Sequence, residues 1–177
     1  MAKSRTVKIT YCGLFTAVLA VCAWISIPSA VPFTLQTFGI FMAYFTLGNK
    51  YGLATYTAYL LLGIMGVPVF SGFRGGVAVV FSQTGGFLAG FLLGGIVVTV
   101  VELLIPELKN KKLVSGITLL LVGYTTAVLW YGVFYTKGQS FSEIIHICVT
   151  PFVIFDLIKL FVAISVSKRV KLIDLKD

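Results

Sequence analysis

The chain has 177 residues, of which 58% are hydrophobic and only 11% charged, and its formal net charge is +8. Soluble domains carry roughly 25% charged residues, so this composition, with a mean hydropathy of +1.02, excludes a soluble globular protein and predicts a single transmembrane domain over residues 1–177. The cations fall in short clusters beside apolar runs rather than in a nucleic-acid-binding module, so lipid is an expected partner and nucleic acid is not.

Six apolar runs, at about 7–27, 35–48, 51–66, 84–105, 113–135 and 143–167, predict an all-α membrane protein with six transmembrane helices. The first begins with charges, as a secretory signal does. Its apolar stretch of about 20 residues nevertheless outruns the roughly 7 to 15 of a signal core, so it reads as a retained helix. The second and third runs reach only ~21 to 24 Å at ~1.5 Å per residue, short of a ~30 Å hydrocarbon core. Two Pro- and Gly-rich stretches, PSAVPFT (28–34) and GVPVFSGFRGGVAVVFSQ (66–83), read as irregular and available to fill that depth. Irregular backbone at membrane depth survives only where protein buries it or water reaches it, so both stretches point to a cavity.

In the fourth run, TGGFLAGFLLGG places Gly86, Gly90 and Gly94 four residues apart. That spacing predicts a groove for close helix packing, not a phosphate loop. Placing the N-terminus in the cytoplasm puts Lys3, Arg5, Lys8, Lys50, Lys109, Lys111, Lys112, Lys168, Arg169, Lys171 and Lys176 inside, and only Arg74 and Lys137 outside. This asymmetry predicts an even number of spans in a plasma-membrane protein with both termini cytoplasmic. The irregular stretches then belong to the external face.

The remaining cation, Lys159, lies within PFVIFDLIKLFVA beside Asp156. Counted from Lys168, Lys159 sits ~13 Å and Asp156 ~18 Å into the membrane at ~1.5 Å per residue. A charge near the centre of a span costs about 2.5 to 3.5 kcal/mol, so such residues pair and face the interior. Three residues apart, the two share a helix face, either as a self-contained ion pair or as part of a site. A carboxylate at a cavity accepts from ligand N–H groups and a cation pairs with a ligand acid, so the site reading expects a ligand with both. Phe33, Phe70, Phe73, Phe81, Trp130, Tyr131 and Tyr135 are candidate apolar walls.

Catalysis is not expected. His146 has only Glu143 nearby in sequence, Cys12, Cys22 and Cys148 lack metal-ligand or redox spacing, and G-x-S-x-G, H-E-x-x-H and P-loop patterns are absent. No metal or cofactor is implied.

VPFTLQT (31–37), YLLLGIMGVPVFSGFRGG (59–76), TGGFLAGF (84–91) and PFVIFDLIK (151–159), in this order, resemble the BioY family, the biotin-specific S components of energy-coupling factor (ECF) transporters. The resemblance implies an ECF S-component fold that captures biotin externally and partners a transmembrane coupling protein and two cytoplasmic ATPases. It also implies a pocket formed by Asp156, Lys159 and the Phe70, Ser71, Gly72 and Arg74 stretch, with Gln36, Thr34, Thr84 and Tyr135 as further candidates. On this reading Asp156 accepts a ureido N–H, Lys159 binds ligand or orients Asp156, and Arg74 meets the ligand carboxylate. Small residues of the first helix, here Gly13 and Ala17, would dock on the coupling protein. The chain departs from the family pattern before Thr84, where Ser82 and Gln83 replace the usual Gly-Pro. The rival expectation is a self-sufficient secondary transporter that uses Asp156 as a proton carrier.

Overall fold

The computed structural model describes residues 2–28 and 31–170, with side chains from residue 6 onward. Ser29, Ala30, Lys171, Lys176 and the side chains of Lys3 and Arg5, on which parts of the sequence reading rest, lie outside the described residues.

Eight helical segments are present among the described residues: α1 (Ala2–Trp24), α2 (Gln36–Leu47), α3 (Asn49–Ile64), α4 (Val77–Val80), α5 (Gly85–Leu104), α6 (Lys111–Phe134), α7 (Phe141–Cys148) and α8 (Thr150–Arg169). Four helical stretches, Thr6–Trp24, Gly85–Leu104, Lys111–Phe134 and Phe141–Arg169, are long and apolar enough to cross a membrane. Large apolar side chains such as Leu103, Leu121, Val133 and Phe161 are exposed, as expected of a surface solvated by lipid.

The segment count differs from six for two local reasons. The last predicted helix is divided at Val149, whose backbone leaves helical geometry. Pro151 follows in the first turn of α8, where its missing N–H costs nothing. Upstream, Ser140 and Glu143 cap α7 reciprocally: the Ser140 hydroxyl accepts from the Glu143 amide, and the Glu143 carboxylate accepts from the Ser140 amide at 2.6 Å. Glu143 is thus a cap, while His146 meets the Thr150 hydroxyl at 3.2 Å. The second difference is α4, a single turn within the stretch read as irregular.

Packing explains the short helices. Nine of the twelve residues of α2 are buried, because α1, α3 and α8 surround it. Gly48, at φ 84°, turns the chain from α2 into α3 without a linker. α5 lies on α6 through the predicted glycine row: Gly86 faces Ala127 and Trp130, Gly90 faces Gly123, and Gly94 faces Leu119. Such backbone proximity gains dispersion contacts where apolar lipid supplies no hydrophobic drive.

At one end of the bundle the loops interlock. Ser26–Ile27 (β1) and Phe33–Thr34 (β2) pair as a small antiparallel hairpin, so the end of the PSAVPFT stretch is held by a backbone ladder. The next loop is pinned by the Trp24 indole, which donates to the Pro68 carbonyl at 2.8 Å, and by Gly76 N–H donating to Gly63 O at 2.6 Å. Toward the other end, Lys8 and Lys50 flank the Tyr51 ring, Lys111 meets Glu102, and Lys112 donates to Ser167.

Candidate functional site

α8 carries Phe152, Asp156, Lys159 and Ala163 on its buried face, a spacing of three to four residues that sets them in one row. Asp156 and Lys159 are 3% and 8% exposed, so both charges are withdrawn from lipid and bulk solvent. One Asp156 carboxylate oxygen accepts from Lys159 Nζ at 2.8 Å and the other from the Tyr124 hydroxyl at 2.6 Å. Lys159 also donates to the Thr34 carbonyl at 2.7 Å and stands 4.3 Å from the centre of the Phe33 ring. This arrangement joins α6, α8 and the hairpin through one buried ion pair.

The pair is not sealed off. It borders a cavity of about 630 Å³, counted with its open mouth, whose wall is predominantly apolar. Of the ten pocket residues expected from the sequence, Asp156, Lys159, Arg74, Phe70, Ser71, Gln36, Thr34 and Thr84 line it. Gly72 and Tyr135 do not. Gly72 lies at the tip of the tight turn closed by the Phe70–Arg74 bridge, and its φ of 71° makes it a conformational residue. Tyr135 donates to the Phe81 carbonyl and borders an adjoining open cleft that Arg74 and Thr84 share.

The apolar walls also differ from expectation. Only Phe70 of the seven proposed aromatics lines the cavity; the others are engaged elsewhere. Phe73 stacks on Trp24, Phe33 packs against Phe152 and Phe155, Phe81 meets Trp130, and Tyr131 meets Tyr135. Phe87 and Phe91 on α5 and Phe152 on α8 supply the walls instead. Their signal in the sequence was spacing: Phe152 precedes Asp156 by one turn, and Phe87 and Phe91 follow each other by one turn beside Thr84. Tyr124, the other partner of Asp156, carried no comparable mark.

Arg74 sits at the mouth, exposed, with its Nε donating to the Ser71 carbonyl at 3.0 Å. Among the described residues it has no carboxylate partner, so its guanidinium is available to an anion. Gln36 enters from the first turn of α2, its amide nitrogen donating to the Tyr59 hydroxyl at 3.0 Å. Before Thr84, the Ser82 hydroxyl donates to the Val79 carbonyl and meets the Thr84 hydroxyl at 2.8 Å, closing a local turn where the Gly-Pro pattern is replaced. On α1, Gly13 and Ala17 are exposed and do not line this cavity.

The sequence matches the family model described as the BioY family over residues 1–174. It is 42% identical over 168 residues to a protein of Thermotoga maritima named biotin transporter BioY, covering 93% of this chain and 95% of that one. A probable biotin transporter BioY of Pyrococcus horikoshii is 30% identical over 165 residues, with 93% and 96% covered. In fold, the chain is similar to the S-component for biotin from an ECF-type ABC transporter, solved by crystallography at 2.1 Å: the TM-score is 0.82 at 24% identity, over 96% of this chain and 93% of the other.

Proposed function

The chain belongs to the BioY family, and from that membership we propose that it is the substrate-capture subunit of an ECF-type uptake transporter, binding biotin from outside the cell. The observation that carries the reading is a buried, hydrogen-bonded Asp156–Lys159 pair on the wall of an apolar cavity, with an arginine at its mouth that has no carboxylate partner among the described residues.

Biotin offers what such a cavity demands: ureido N–H donors, an apolar bicycle and chain, and a carboxylate. A carboxylate has roughly four lone-pair sites; Tyr124 and Lys159 take two of those on Asp156, and a ureido N–H takes another. Phe70, Phe87, Phe91 and Phe152 hold the apolar parts. Arg74 receives the valerate carboxylate, because the ammonium of Lys159 is already engaged by Asp156, Thr34 and the Phe33 ring. Lys159 therefore orients Asp156 more than it holds ligand. The self-sufficient transporter is not favoured. Both Asp156 oxygens already accept from protein donors, which suits a fixed acceptor better than a carrier that must gain and lose a proton.

The chain crosses the membrane six times, with the hairpin and the loop after α3 filling the depth that α2 and α3 leave, and with both termini in the cytoplasm. A transmembrane coupling protein and two ATPases complete the machine, in keeping with a sequence that has no P-loop. Gly13 and Ala17 supply a smooth stretch of α1 for the coupling protein.

Calorimetric titration of the purified chain without nucleotide tests this. Biotin binds, and Asp156→Asn weakens it by about tenfold or more, the scale of one charge-assisted hydrogen bond of roughly 1.5 to 3 kcal/mol. Replacing biotin by its amide costs the wild type more than Arg74→Ala. Equal losses would remove Arg74 from the site, and no biotin binding by the folded wild type would overturn the function.

A further inference from the structure

We propose that Tyr59, which does not line the cavity, is a positioning residue: it fixes the Gln36 amide so that the side-chain oxygen is a second acceptor for ligand N–H. This rests on the biotin-binding reading and extends it to how the ureido group is told apart from its analogues.

One phenolic proton sets the arrangement. The Tyr59 hydroxyl lies 3.0 Å from the Val69 carbonyl, which can only accept, so the single phenolic proton is committed there. What remains on Tyr59 is an acceptor. Gln36 approaches that oxygen at 3.0 Å, and only its NH₂ end satisfies the contact, since its carbonyl end would set two acceptors face to face. The Gln36 oxygen is thereby turned away from Tyr59, and among the described residues nothing donates to it, although Gln36 lines the cavity. Tyr59 cannot easily yield: it is 0% exposed, stacked on Tyr56 at 5.9 Å and met edge-on by Phe70 at 5.5 Å.

Val69 adjoins Phe70, which itself lines the cavity, so the loop after α3 sets Tyr59, and Tyr59 sets Gln36. The cavity then presents two fixed acceptors from two elements, Gln36 on α2 and Asp156 on α8. A cyclic urea, with an N–H on each side of its carbonyl, matches a pair of acceptors. A ligand with one N–H replaced leaves an acceptor unpaired, and sites of that kind discriminate strongly.

The test titrates biotin and its two ureido N-methyl derivatives against the purified chain. For the wild type, each methyl group weakens binding about tenfold or more. In Tyr59→Phe the Gln36 amide is released, so one of the two penalties falls to about threefold or less while the other, due to Asp156, stays. Gln36→Met reproduces that selective loss. Both penalties unchanged in Tyr59→Phe, or both reduced together, would overturn the proposal. Should Tyr59→Phe fail to fold, Gln36→Met decides: both methyl penalties unchanged there would show that Gln36 accepts from neither ureido N–H and sink the inference. Failure of wild-type chain to bind biotin strikes the underlying function instead.

Discussion

Asp156 and Lys159 were legible because a charge inside an apolar run has few reasons to be there. Their partners were not: Tyr124 is a common residue in a membrane helix, and its role exists only because α6 brings it within 2.6 Å of Asp156. The same holds for Thr34, whose backbone carbonyl, not its hydroxyl, receives Lys159. A sequence advertises side chains and hides backbone acceptors. Removing one member of a buried ion pair strands the other, so the pair must be judged by breaking it and then by removing both. Lys159→Met should destabilise the protein by about 3 kcal/mol, and adding Asp156→Asn should recover at least half of that loss. Unfolding of the detergent-solubilised variants by SDS titration measures both. A double variant as unstable as the sum of the singles would mean that the two charges do not depend on each other.

At the level of elements, periodicity located the helical runs but not their interruptions. The break at Val149 was signalled by Pro151, yet hydrophobicity continues across it and masks the division. α4, at one turn, is too short for any periodic signal. The glycine row on α5 was readable for the opposite reason, since three glycines four apart define one helix face. The structure adds what that face meets: a Cβ at Gly90 would stand 2.8 Å from the Gly123 Cα and 2.9 Å from its carbonyl oxygen, backbone atoms that cannot rotate away. Gly13 is the contrast, because a Cβ there meets nothing within 4 Å. Gly90→Ala should therefore lower stability by about 1 to 3 kcal/mol, while Gly13→Ala leaves both stability and biotin binding near wild type. Thermal unfolding in detergent distinguishes them, and an innocuous Gly90→Ala would show that α5 and α6 can separate without loss.

For the whole molecule, charge and irregularity sort to opposite ends. The hairpin, the loop after α3 and the cavity mouth with Arg74 gather where few cations lie, while Lys8, Lys50, Lys111 and Lys112 collect toward the other end. The first pattern is what an external binding site requires and the second is what the positive-inside rule selects, so a single orientation satisfies both. That agreement was available from the sequence, because both signals depend on order along the chain; the shape of the cavity was not, because its walls come from side chains distant in order. Sidedness follows from that orientation. In a background with Cys12, Cys22 and Cys148 replaced, a membrane-impermeant maleimide applied to intact cells should label Ser71→Cys and Lys137→Cys, and should reach Lys50→Cys and Lys109→Cys only after permeabilisation. Biotin should then protect Ser71→Cys, which lines the cavity, and leave Lys137→Cys unprotected on its exposed turn. Labelling of Lys50→Cys in intact cells would reverse the orientation, and equal protection at both external positions would mean that biotin acts on the loops without entering the cavity.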